Sequence, residues 1–163
     1  MIVYHGSTLV VDKPSAAYSK RFLDFGAGFY VTADRKQAEN WAKRKAIRLK
    51  GTAIVNIYNL ADDFSKHKGL IFDNEDGAWL DFITKCRKGN EDYKQYDFIS
   101  GSVANDDVFL TVDMYARGIW DKDRALSEIR YYKTSHQICL VSQKLIDKDL
   151  KFDKFYEVEG YDC

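Results

Sequence analysis

Apolar residues along the chain come in short bursts whose spacing changes from segment to segment. The β-branched and aromatic opening predicts a first short strand over Ile2–His5, followed by a loop through the lone proline, Pro14. Gly28–Thr32 (GFYVT) follows the turn-prone Asp24-Phe25-Gly26-Ala27 and predicts a second strand. A helix is then expected over Asp34–Leu49. Ala38, Trp41, Ala42 and Lys45 fall at i, i+3, i+4 and i+7, Thr32 or Asp34 stands ready as N-cap, and Gly51 marks the end. Thr52–Tyr58 (TAIVNIY), Asp97–Gly101 (DFISG) and His136–Ser142 (HQICLVS) read as strands. Gly77–Arg87, Val108–Gly118 and Lys122–Tyr132 read as helices, the last with Ala125, Leu126, Ile129 and Tyr132 along one side. The tail, where acidic and basic residues alternate, fits neither period. Short strands interleaved irregularly with helices predict an α+β fold, because a doubly wound sheet would show repeating βα units.

Composition narrows the picture. The 163 residues are 45% hydrophobic and 15% aromatic, enough for one core without covalent help, so a single domain over 1–163 is expected. Lys and Arg (25) balance Asp and Glu (25), which argues against a general nucleic-acid binder and against a disordered chain. Cys86, Cys139 and Cys163 are odd in number and lack a CxxC pair, so neither a disulfide framework nor a cysteine metal site is expected. No run approaches the roughly 20 apolar residues of a membrane span, and the opening MIVYHGS lacks a signal-peptide pattern. No membrane partner and a cytoplasmic location are the resulting expectations.

Four separated pieces carry the chemistry: Tyr4-His5-Gly6-Ser7, then Asp24 to Thr32 (DFGAGFYVT), then Gln37-Ala38-Glu39-Asn40-Trp41-Ala42, and finally His136-Gln137-Ile138-Cys139. With the GSVANDD stretch ending at Asp107, this set resembles the ADP-ribosyltransferase superfamily over roughly Val3 to Val141. The similarity is to the branch whose first strand carries histidine, shared by diphtheria toxin and the poly(ADP-ribose) polymerases. Within that branch it is greatest to a bacterial family of small uncharacterised domains. The resemblance implies a split β-sandwich of two small sheets flanked by helices, with NAD bound between them.

It also implies roles. His5 matches the histidine that holds an adenosine ribose hydroxyl of NAD. Gly6 matches the glycine whose backbone grips the nicotinamide amide, with the Ser7 hydroxyl beside it. Tyr30 matches the aromatic that stacks on the nicotinamide ring, Trp41 falls where the polymerases place a second stacking ring, and Gly28 belongs to the same NAD-binding segment. Gln137 stands where the catalytic glutamate usually sits, and Ala38 where the polymerases often carry a nicotinamide-binding serine.

The residue types suit the reaction. Breaking the nicotinamide–ribose bond builds positive charge on the ribose, as in glycoside hydrolysis. A planar cation is held by aromatic faces for about 0.5–2 kcal/mol each. Gln137 can accept a hydrogen bond from a ribose hydroxyl but brings no charge, which raises the barrier by about 3–4 kcal/mol. Asn105, Asp106 and Asp107 are therefore candidates for an accessory group, an acid at Asp106 above all.

The resemblance implies a mono-ADP-ribosyltransferase, the toxin of a bacterial toxin–antitoxin pair, passing ADP-ribose from NAD to a protein or nucleic-acid acceptor and held in check by an antitoxin protein. Two other readings stand beside it. One is a catalytically weakened domain of the same fold that binds a nucleotide or a partner protein. The other is a metal-free ribonuclease with His5 and His136 as acid–base pair. Strand alternation sets these apart, because His136 and Gln137 must point to opposite faces. The basic run Lys43-Arg44-Lys45 with Arg48 and Lys50 is expected to be a solvated helix face.

Overall fold

The computed structural model describes residues 1–19, 23–104, 106–132 and 135–160, with only the backbone of Asp106 and Asp107. Its elements are β1 (Ile2–Ser7), β2 (Phe29–Val31), α1 (Arg35–Leu49), β3 (Ile54–Leu60), β4 (Gly69–Ile71), α2 (Gly77–Arg87), β5 (Phe98–Ser102), α3 (Asp106–Ala116), α4 (Lys122–Ile129), β6 (His136–Leu140), α5 (Gln143–Asp149) and β7 (Leu150–Glu157). The strands form two small sheets in an α+β arrangement. One has the order β1-β3-β7, the other β2-β6-β5-β4. All pairings are antiparallel except β4 with β5. Among the described residues no helix is long and apolar enough to cross a membrane.

The five expected strands are present, and the differences have local causes. In the tail, β7 buries only Leu150 fully and exposes most other positions, so its hydrophobic alternation is faint. It forms because its backbone completes the edge of β3, with a register shift at Ile57/Tyr58. The three-residue β4 is too short for any periodic signal and exists by pairing with β5. Ser142, expected to end a strand, caps α5 through a hydrogen bond from Leu145 N. Asp34 caps α1, accepting from the amides of Lys36 and Gln37. The helix ends at Leu49 as expected, but Lys50 rather than Gly51 is its C-cap. Lys50 takes the left-handed conformation, φ 53°, and the Gly51 amide closes back on the Ala46 carbonyl.

Three packed layers follow. Between the sheets lie Val3, Tyr58 and Leu60 from one side and Phe29, Val31, Ile138 and Leu140 from the other. The outer face of the second sheet buries Ile99 and Cys139 against Trp79 and Ile83 of α2, Val108 of α3 and Ile129 of α4. Finally, α1 lays an alanine stripe, Ala38, Ala42 and Ala46, onto Ala53 and Val55. Trp41 is therefore not part of the buried stripe that the spacing suggested. Alanines allow the helix to approach β1 so closely that only glycine fits opposite them.

Among the described residues the sheets are bridged through their backbones at one place. Tyr4 and Thr32 form an isolated bridge between β1 and β2, Tyr4 N to Thr32 O at 2.8 Å and Thr32 N to Tyr4 O at 3.0 Å. Beyond it β1 continues along β3, while β2 continues along β6.

Gly6 tests the close approach of helix and strand. A Cβ there would sit 2.1 Å from the Ala38 carbonyl oxygen and 2.7 Å from the Ala42 nitrogen, both backbone atoms that cannot swing away. Gly6→Ala is expected to cost about 1–3 kcal/mol of stability, measured as a lowered urea midpoint at unchanged slope.

Candidate functional site

The divergence of β1 and β2 opens a cleft of about 940 Å³. His5, Tyr30, Trp41 and Gln137, which the chain supplies from β1, β2, α1 and β6, all line it. Gly6, Ser7 and Gly28 do not. Gly6 backs onto α1 and its carbonyl accepts a hydrogen bond from Lys45 Nζ at 2.8 Å. The Ser7 hydroxyl is buried against the Tyr18 hydroxyl at 2.9 Å. Gly28 makes room for Cys139 Sγ and the Leu140 carbonyl, 2.5 and 2.8 Å from where a Cβ would lie. Packing accounts for both glycines. Asn105 and the side chains of Asp106 and Asp107 lie outside the described residues.

His5 sits where the ladder between β1 and β2 gives out. Its Nδ1 lies 2.7 Å from the Tyr30 carbonyl, which can only accept, so Nδ1 carries the proton. Phe29 stacks on the ring at 4.4 Å and Tyr18 meets it edge-on at 5.4 Å. Burial, then the charge of Lys45, pushes the imidazole pKa down to about 3, against a smaller upward pull from the Tyr30 carbonyl. The ring is thus neutral at physiological pH. Its Nε2 is a buried lone pair without a partner, able only to accept.

Tyr30 is locked by its own hydroxyl, which donates to the Gly26 carbonyl at 2.6 Å and accepts from the Phe25 amide at 3.1 Å. Burial raises its pKa and keeps the phenol neutral. That pair of bonds ties the loop before β2 to the strand and delivers Asp24 to the cleft.

Asp24 is a residue the sequence reading did not single out as functional. Its Oδ1 accepts from Arg87 Nε and Nη2 at 3.0 and 2.6 Å. Its Oδ2 accepts from the Ala104 amide at 3.0 Å and from Gln137 Nε2 at 3.3 Å. The carboxylate charge is answered by Arg87, and the Gln137 amide is turned nitrogen-inward. No local pattern marks this cluster, since the partners of Asp24 lie 63 to 113 residues away from it in sequence.

Gln37, in the first turn of α1, is the second omission. It is 7% exposed and lines the cleft, yet neither Oε1 nor Nε2 of its amide has a hydrogen-bond partner. Its place in the Gln37–Ala42 segment was the available signal.

The walls carry an excess of positive charge although the chain as a whole is neutral. Lys36, Arg44, Lys45 and Arg48 come from α1, and Arg87, Lys88 and Arg117 from the opposite side, against Asp24, Asp34 and Asp113. The basic run is therefore not simply a solvated face, as Arg44, Lys45 and Arg48 turn toward the cleft. Burial, followed by repulsion from Arg48, lowers the Lys45 pKa to about 8. His136 points away from this cleft, its Nε2 3.3 Å from the Ser100 hydroxyl, so an acid–base pair of His5 and His136 does not form.

The buried, neutral His5 makes a pH prediction. Between the ordinary pKa of 6.5 and its folded value of about 3, the unfolded chain takes up a proton that the folded one refuses. Stability from this group is complete above pH 6.5 and lost as pH falls, by up to about 1.4 kcal/mol per pH unit. Urea titrations from pH 7 to 4 should show a shallower acid loss in His5→Phe than in the unchanged protein.

No curated protein matches the chain in sequence. Residues 1–152 match the family model described as protein of unknown function (DUF3990), so the chain belongs to that family.

Proposed function

We propose that the protein is a mono-ADP-ribosyltransferase that uses NAD as co-substrate. One observation carries the reading: His5, Tyr30, Trp41 and Gln137, drawn from four elements, line a single cationic cleft. The neutral His5 Nε2 is an acceptor for a ribose hydroxyl. The faces of Tyr30 and Trp41 suit a planar pyridinium, and the lysines and arginines of α1 suit the pyrophosphate. With Nε2 of Gln137 directed at Asp24, the amide oxygen remains to accept from the ribose next to the bond that breaks. In the reaction the C1′–N bond breaks with its electron pair going to nicotinamide. An acceptor oxygen or nitrogen then bonds to C1′ and releases its proton.

Asp24 is a carboxylate of the cleft bonded to Gln137, but it positions rather than charges the site, because Arg87 neutralises it. The same fact favours the second reading, a catalytically weakened domain that binds a nucleotide or a partner protein. Under the first reading the acceptor is a protein or nucleic acid, and the protein is the cytoplasmic toxin of a pair whose antitoxin blocks the cleft.

Purified protein given NAD is expected to release nicotinamide, detected by chromatography, with the rate reduced at least tenfold in His5→Ala. Production in a bacterial host should arrest growth, and His5→Ala should relieve the arrest. NAD binding by calorimetry without nicotinamide release would support the binder, and absence of both would reject the two readings together.

Gln137→Glu does not restore a conventional acid in this setting. The new carboxylate would face Asp24 Oδ2 where an amide now donates, and repulsion would raise its pKa above the unfolded value. The variant is expected to lose about 1–3 kcal/mol at pH 7 and to recover as pH falls and the carboxyl takes up a proton. Urea midpoints at pH 7 and 5 check the sign.

A further inference from the structure

Whereas His5 has a hydrogen bond to the fold through Nδ1, Gln37 is a polar side chain of the cleft with none at all. Its backbone amide is used by the Asp34 cap, yet its side-chain amide is more than nine-tenths buried with a free donor and a free acceptor side by side. An unpaired amide opposes folding, so an apolar side chain of similar length would serve the fold better. The arrangement is complementary to a ligand edge that offers one acceptor next to one donor. A primary carboxamide has that edge, and so has adenine.

We infer that Gln37 reads the carboxamide of the nicotinamide ring through a two-bond amide–amide pair, an assignment that rests on the proposed function. Position along α1 decides between the two ends of NAD. The Thr32 hydroxyl donates to the His136 carbonyl at 2.8 Å and accepts from the Asp34 amide at 3.0 Å. The start of β6, with Gln137, is thereby tied to the start of α1, with Gln37. The bond that breaks must lie near Gln137, so the departing ring lies at this end of the helix. Trp41 stands one turn further on the same face, ready to stack on that ring. Lys45 and Arg48 follow about 12 and 16 Å from Gln37 along the axis, where their charges suit the phosphates beyond the ring. Gly6, whose carbonyl the family resemblance gives to the carboxamide, already accepts from Lys45 Nζ. The Gln37 amide supplies the missing acceptor and a donor beside it.

The test is Gln37→Leu, with calorimetric titration of NAD and of two analogues. In 3-acetylpyridine adenine dinucleotide a methyl group replaces the carboxamide nitrogen, and in nicotinamide hypoxanthine dinucleotide the adenine amino group is gone. The unchanged protein is expected to prefer NAD to the acetylpyridine analogue. Gln37→Leu should bind NAD about 10- to 100-fold more weakly, lose that preference, and keep whatever discrimination the protein shows against the hypoxanthine analogue. Its Tm should rise by about 2–4 °C, since a buried unpaired amide has been removed. Gln37→Met carries the same expectations should the branched side chain disturb α1. Undiminished NAD affinity, persistent discrimination against acetylpyridine, or a fallen Tm in both variants overturns the inference and leaves the proposed activity standing. Loss of discrimination against hypoxanthine instead moves Gln37 to adenine and overturns it likewise. If the unchanged protein binds no NAD, both this inference and the reading beneath it fall.

Discussion

Among the described residues the two sheets share a single pair of backbone hydrogen bonds, between Tyr4 and Thr32. The place of His5 in the cleft follows from that economy. Past the bridge β1 belongs to β3 and β2 to β6, and the next backbone acceptor on β2, the Tyr30 carbonyl, lacks a strand partner on that side. The His5 imidazole fills the gap. Its Nδ1–H replaces the lost ladder bond, which fixes the tautomer and leaves Nε2 as a bare acceptor inside the fork. Fold and chemistry thus meet in one ring, since the atom that closes the sheet edge also sets what its other nitrogen can bind.

The cleft is built against the ordinary rule that buried polar groups find partners. His5 Nε2 and both amide atoms of Gln37 are buried and unpaired, and Lys45 is held with a lowered pKa beside Arg48. By contrast, the Asp24 cluster is saturated, with Arg87, the Ala104 amide and Gln137 sharing two carboxylate oxygens. A saturated cluster rigidifies, whereas the unpaired groups keep their donors and acceptors free. A chain with no net charge presents a cationic cleft because the balancing acids lie mostly elsewhere.

Helix α1 serves both ends. Its alanine stripe allows a close approach to β1, which in turn requires glycine at position 6. That approach leaves Gln37, Trp41, Lys45 and Arg48 lined along the neighbouring face, where the fork opens. The helix can lie so near the strand because the face it turns to β1 carries alanines, its bulkier residues pointing to the cleft or to solvent.

Much of this was legible in the residues themselves. β-Branched runs and 3.6-residue spacing located five strands and four helices, because those signals arise from each segment's own burial. Faint or short segments, β4 and β7, escaped because their backbones are recruited by a neighbouring edge and their side chains are mostly exposed. His5, Tyr30, Trp41 and Gln137 were recognisable as a set, and they do face one cleft. The roles of Gly6 and Gly28 were not, since a glycine needed for helix packing looks the same in sequence as one that approaches a ligand. Asp24 and Gln37 depended wholly on tertiary structure. Whether a carboxylate is satisfied by an arginine 63 residues away, or an amide is buried with nothing to bond, is a property of the assembled space. Local sequence determines which face of each element is apolar; only the closed fold determines which polar groups are left facing one another.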